Sequence, residues 1–90
     1  MVRKLDHQPI DIGNQLDVDV NFRLVDSSNV DRIGWDKFGN MYVLYKSGYL
    51  YLYFNVSRQR AVAAAYASSV GRYIHKKIKG KYECHKLVAV

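Results

Sequence analysis

Arg72, His75, Lys76 and Lys79 recur at i, i+3, i+4 and i+7, the spacing that gathers side chains into one stripe along a helix. Lys77 and Lys81 flank it. A second group with chemical potential lies upstream, where Tyr49, Tyr51 and Tyr53 alternate with Leu50, Leu52 and Phe54. Successive side chains of a strand point to opposite faces, so these tyrosines share one face and the apolar residues the other. Lysine and arginine neutralise phosphates, and aromatic rings stack on bases. The two groups together predict binding of single-stranded nucleic acid, RNA foremost, through the basic helix face. The same tyrosines also read as core, in which case the cations alone supply non-specific, salt-sensitive affinity.

Two other readings come from different residues. Ser68-Ser69-Val70-Gly71-Arg72 places two hydroxyls, a glycine and an arginine where a helix begins, which suits a phosphate and so a small nucleotide or phosphorylated ligand held by sequestration. It reads equally as a double serine cap, with Gly71 chosen for close packing. The face of Leu50, Leu52 and Phe54 needs a cover: either the first strand, Leu16 to Leu24, joins the same sheet or folds over it, or a second copy of the chain covers it, giving a homodimer. Catalysis is the poorest fit. Cys84 and His85 are adjacent, so a strand would point them to opposite sides, and no Ser/His/Asp or Cys/His set has supporting context. One cysteine and the scattered His7, His75 and His85 give no metal spacing, and no cofactor is implied. The expectation is a non-enzymatic binding module.

The elements that position these groups follow from the change of period. Leu16, Val18, Val20, Phe22 and Leu24 alternate with Asp17, Asp19, Asn21 and Arg23, which predicts a half-buried strand over 16–24. Val25-Asp26-Ser27-Ser28-Asn29 is turn sequence, because these short polar side chains bond their own backbone. Val30–Trp35 and Met41–Tyr45 read as strands joined by a hairpin loop at Asp36-Lys37-Phe38-Gly39-Asn40, where Gly39 and Asn40 tolerate positive φ. Gly34 predicts a bulge or a close approach by another backbone. Lys46-Ser47-Gly48 then leads into the tyrosine strand.

After Val56 the period lengthens to that of a helix. Ser57 is a good N-cap for a helix over 58–67, with Val62, Ala63 and Tyr66 on one face and alanines that allow close packing. A second helix is predicted over 70–79, burying Val70, Tyr73, Ile74 and Ile78 and ending at Gly80. Tyr82–Val88 reads as an edge strand or an extended tail. The fold class is therefore α+β: an antiparallel meander of three to five strands followed by two C-terminal helices packed on one face. Residues 1–15 lack any period and read as an arm or extension, leaving 16–90 as a single domain.

Composition narrows the partners. The chain of 90 residues carries a net charge of +6, divided unevenly: about −1 over residues 1–56 and +7 over 57–90. A basic field confined to one end suits an anionic partner. No apolar run approaches the roughly 20 residues needed to cross a bilayer, so no membrane partner is expected. The N-terminus lacks a signal-type stretch and the cysteine is single, so an intracellular, cytoplasmic location is expected.

Taken in order, Ser27-Ser28-Asn29, Ile33-Gly34-Trp35-Asp36, Ser47-Gly48, Tyr51 and Tyr53, Val56, Ala67-Ser68, Gly71, Tyr73, Ile78-Lys79 and Tyr82 resemble the KTSC domain. This family takes its name from the C-terminus of some lysyl-tRNA synthetases and also occurs as small bacterial and phage proteins. The resemblance runs from about Leu24 to Leu87. It implies an association with RNA, and it implies that the Tyr-x-Tyr face lies under the helices. Leu50 and Leu52 depart from the family, which usually alternates those tyrosines with polar residues.

Overall fold

In the computed structural model, residues 6–9 and 19–87 are described. The alternating segments form the strands β1 (Asp6–Pro9), β2 (Asp19–Leu24), β3 (Val30–Trp35), β4 (Met41–Tyr45) and β5 (Leu50–Tyr53). Helices α1 (Arg58–Ala65) and α2 (Val70–Tyr73) follow. The second runs into a π-helical turn at Ile74–Ile78, and β6 (Cys84–Leu87) closes the chain. All neighbours pair antiparallel in the order β1-β2-β3-β4-β5-β6. The expected α+β architecture is what the chain adopts, with Cys84–Leu87 returning as the final strand beside β5. Asp6–Pro9, inside the segment read as an aperiodic arm, pairs with β2. Residues 16–18 of the strand expected over 16–24 lie outside the described residues.

The loops are fixed by short polar side chains. Ser27 Oγ accepts from the N–H groups of Asn29 (3.3 Å) and Val30 (3.2 Å) and donates to Asn29 Oδ1 (3.0 Å), which closes the turn into β3. In the β3–β4 hairpin only Gly39 takes positive φ; Asn40 instead donates its backbone and side-chain N–H to Asp36, each at 3.1 Å. Gly34 is a close approach of side chains and not a bulge: a Cβ there would stand 2.7 Å from Val20 Cγ1 and 2.8 Å from Phe22 Cδ1. The register shift lies earlier, between Val30 and Arg32, so that Asp31 is the extra residue.

The two faces of the sheet bury separate cores. One row across the strands runs Asn21, Trp35, Met41, Tyr53, Cys84 and the next Arg23, Ile33, Val43, Tyr51, Lys86. On this face pack Ala61, Ala64 and Ala65 of α1 together with Val70, Ile74 and Ile78. The alanines bring α1 close, and each buried isoleucine contributes about 1.5–3 kcal/mol of transfer free energy. Tyr66, expected on one helix face with Val62 and Ala63, is 61% exposed and carries the Arg23 guanidinium 4.0 Å above its ring. On the opposite face Val20, Phe22, Tyr42, Leu50, Leu52 and Leu87 form a second cluster, with Leu44 and Phe54 against it. Leu50 and Leu52 are 1% and 4% exposed in the single chain, where they cluster with Val20 and Phe22 of β2, the strand named as the other candidate cover.

Candidate functional site

Because β5 alternates, Tyr51 and Tyr53 face the helices, and Tyr49, just before the strand, continues their side. Tyr45, at the end of β4, meets Tyr51 edge-on with ring centroids 5.4 Å apart, and Tyr51 stacks on Tyr53 at 6.5 Å with the planes 21° apart. The helix layer does not fully cover them. Opposite the tyrosines the chain passes from α2 into the π-helical turn, whose wider coil is seen in the bond from Lys79 N–H to Ile74 C=O, 2.7 Å long. Such turns recur at functional sites. Between the two layers lies an open cleft of about 330 Å³. Its sheet side is formed by Tyr45, Ser47, Tyr49, Tyr51 and Tyr53, and its helix side by Gly71, Ile74, His75 and Lys79, with Asn29 at one end.

The tyrosines differ in what they can offer a ligand. Tyr53 is 2% exposed and belongs to the core floor. Tyr51 is half-buried and presents part of its ring, while Tyr49 is 42% exposed at the rim, with Lys86 Nζ 4.0 Å from its ring centroid. The arrangement supplies one exposed aromatic platform with a cation already seated against it, which is worth about 0.5–1 kcal/mol at such a site. Burial raises the phenol of Tyr53 well above its ordinary range, reinforced by Cys84 and by Tyr45. Burial likewise raises Tyr45, with Tyr51 and Cys84 adding to it and a hydrogen bond with Tyr53 opposing. The Cys84 thiol is also raised, by burial first, against the lowering influence of its hydrogen bond with Tyr53 and of the Lys79 charge. It is therefore a neutral thiol near pH 7 and not an activated nucleophile.

Of the residues predicted to bind an anion, His75 and Lys79 line the cleft, and Arg72 lines an adjoining recess with Ser68 and Ser69. Lys76, Lys77 and Lys81 are exposed beyond both hollows. Ser69 serves as the cap of α2, accepting from Arg72 N–H at 3.4 Å, and Asp26 shares the recess, so a phosphate seat at this helix start is disfavoured. Cys84 and His85 do point to opposite faces: His85 meets Phe54 edge-on at 5.4 Å on the far side of the sheet. Among the described residues no three of His, Cys, Asp and Glu are placed to hold a metal ion, and no helix is long and apolar enough to cross a membrane.

Sequence reasoning missed Asn29, Tyr45, Ser47 and Lys86 as site residues. Lys86 becomes legible only through register, which sets it opposite Tyr51. The other three come from turns and a strand end whose meeting point is a matter of tertiary structure.

The KTSC domain model matches residues 26–82. The chain belongs to the KTSC domain family. The KTSC domain protein YPO2434 of Yersinia pestis, solved as a crystal structure, is similar to it at 27% identity with a TM-score of 0.70. The likeness covers 77% of this chain and 99% of that one. No match was found among curated proteins. The motif residues that carry the family resemblance are scattered from Ser27 to Tyr82, yet Asn29, Ser47, Tyr51, Tyr53, Gly71 and Lys79 among them all meet at the one cleft.

Proposed function

We propose that this KTSC domain is a non-enzymatic binding module for single-stranded nucleic acid. A base enters the tyrosine cleft and the phosphates run along Arg72, Lys76 and Lys79. The observation that carries this reading is the juxtaposition of Tyr49 and Tyr51 with His75 and Lys79 across one open cleft. A stacked base is worth about 1–3 kcal/mol by aromatic substitution, and cations beside it hold the backbone without reading sequence. The cleft is also large enough to favour a second ligand of the same chemistry, a free nucleotide, since small-molecule sites begin at about 300 Å³.

Anisotropy of a labelled single-stranded oligonucleotide separates the two. Binding that falls steeply with salt and is abolished by Lys76→Glu/Lys79→Glu supports the strand reading. Binding of a mononucleotide as tight as that of the strand favours the free nucleotide, and no binding of either at low salt removes both.

A further inference from the structure

Among the described residues Arg23 is the one buried cation, 8% exposed, and its side chain has no hydrogen-bond or ion-pair partner there. Buried charges are ordinarily paired. What this guanidinium has instead is the ring of Tyr66, 4.0 Å from its central carbon. Tyr66 is the C-cap of α1, with its backbone N–H bonded to Ala64 and Val62 C=O, so helix and guanidinium together fix the ring. Because it is still 61% exposed with one face over Arg23, its other face is open to solvent.

The same construction stands at the rim of the cleft, where Tyr49 is 42% exposed and Lys86 Nζ lies 4.0 Å from its ring centroid. Phe38 differs: its cation is the adjacent Lys37, at 5.4 Å, so no second element holds it. The two tyrosine platforms are on separate flanks of the helix layer. Arg23, Ile33, Val43 and Tyr51 form one row, which places Arg23 three strand spacings, about 14 Å, from Tyr51. A single base cannot touch both. Tyr66 precedes Ser69, the cap of α2, by three residues, so it stands within about 11 Å of the point where the basic stripe begins with Arg72. A strand leaving the cleft along Lys79, Lys76 and Arg72 is led toward it. The surface it meets is an open aromatic face over a positive charge, which suits the π-face of a base on an anionic backbone.

We infer that Tyr66, backed by Arg23, is a second base-stacking platform, and that the domain holds a single strand several nucleotides long between it and the Tyr49–Tyr51 cleft. This rests on the nucleic-acid reading of the cleft. Arg23 is a positioning residue, which orients the ring and keeps a charge behind it.

The test compares, on the full chain, a uridine dinucleotide, too short to bridge the platforms, with an oligouridylate of about twelve nucleotides. Tyr66→Leu keeps an apolar cover over Arg23 but removes the stacking face. It is expected to weaken the long strand about tenfold and to leave the dinucleotide within about twofold of wild type, because the second contact acts only through the connected strand. Tyr66→Phe, which keeps the ring, should bind both as wild type does. Equal weakening of both lengths by Tyr66→Leu marks a structural role and overturns the platform. An unchanged long strand in Tyr66→Leu, with Tyr49→Ala weakening both lengths, overturns the platform and leaves the cleft reading intact. Failure of the long strand to bind wild type at low salt overturns both.

Discussion

The two faces of the sheet use the same residue type to opposite ends. On the face of Val20, Phe22 and Leu52, Tyr42 is fully buried and its hydroxyl donates to Asp36 Oδ2 at 2.7 Å. That carboxylate also accepts from the N–H groups of Phe38 and Asn40 and from Asn40 Nδ2, so four donors converge on one buried acid and lock the β3–β4 hairpin. On the helix face, Tyr45, Tyr49 and Tyr51 are only partly covered, and they surround a cleft edged by His75 and Lys79. A buried hydroxyl must be satisfied, which makes Tyr42 structural. A tyrosine left half open beside cations keeps a ring free for something outside the chain.

This contrast is broken most severely by substitutions on the Tyr42 face. Asp36→Ala strips the acceptor from four donors and is expected to destabilise the fold by about 3–5 kcal/mol, measured by urea titration. Gly34→Val forces a branched side chain into Val20 and Phe22 and is expected to cost about 2–3 kcal/mol. Neither change should alter oligonucleotide affinity of the protein that remains folded. A loss of affinity without a loss of stability would contradict the division between the faces.

On the helix face the signs reverse. Tyr49→Ala is expected to weaken oligonucleotide binding by about 1–3 kcal/mol while lowering stability by no more than about 1 kcal/mol, the loss of the Lys86 contact on an otherwise exposed ring. The smallest effect is that of pH. Burial, with the Asp36 hydrogen bond and charge behind it, raises the Tyr42 phenol far above its usual range. A folded-state value raised above the unfolded one gives stability that is fully present below about pH 10 and is lost as pH rises through that value, by at most about 1.4 kcal/mol per pH unit. Thermal melts between about pH 9 and pH 11 should show this decline, and Tyr42→Phe should make it shallower. Tyr53, raised by burial in the same direction, accounts for part of what remains.

Much of the fold was legible in the sequence because its periods are clean. The alternation of Leu50, Leu52 and the tyrosines gave β5 and its two apolar faces, and Ser57 gave the start of α1, where its Oγ accepts from Arg60 N–H at 3.1 Å. The π-helical turn was not legible, since Val70, Ile74 and Ile78 fit an unbroken α-helix equally well. What covers Leu50 and Leu52 is not legible in the sequence. Alternation shows that a strand has two apolar faces, but whether its own chain closes the second depends on partners such as Phe22 and Leu87, which lie at distant positions in the sequence. Half the site was visible as the basic stripe and the tyrosines. Asn29 and Ser47 look like ordinary turn residues until the fold sets them beside His75 and Lys79.

The contrast between the faces is tested most directly by amide chemical-shift mapping of the isotope-labelled protein titrated with a single-stranded oligonucleotide at low salt. The largest shifts are expected at Ser47, Tyr49, Tyr51, His75 and Lys79, with Phe22, Tyr42 and Leu52 unmoved. Shifts centred on the Tyr42 face, or none at all at saturating oligonucleotide, would contradict it.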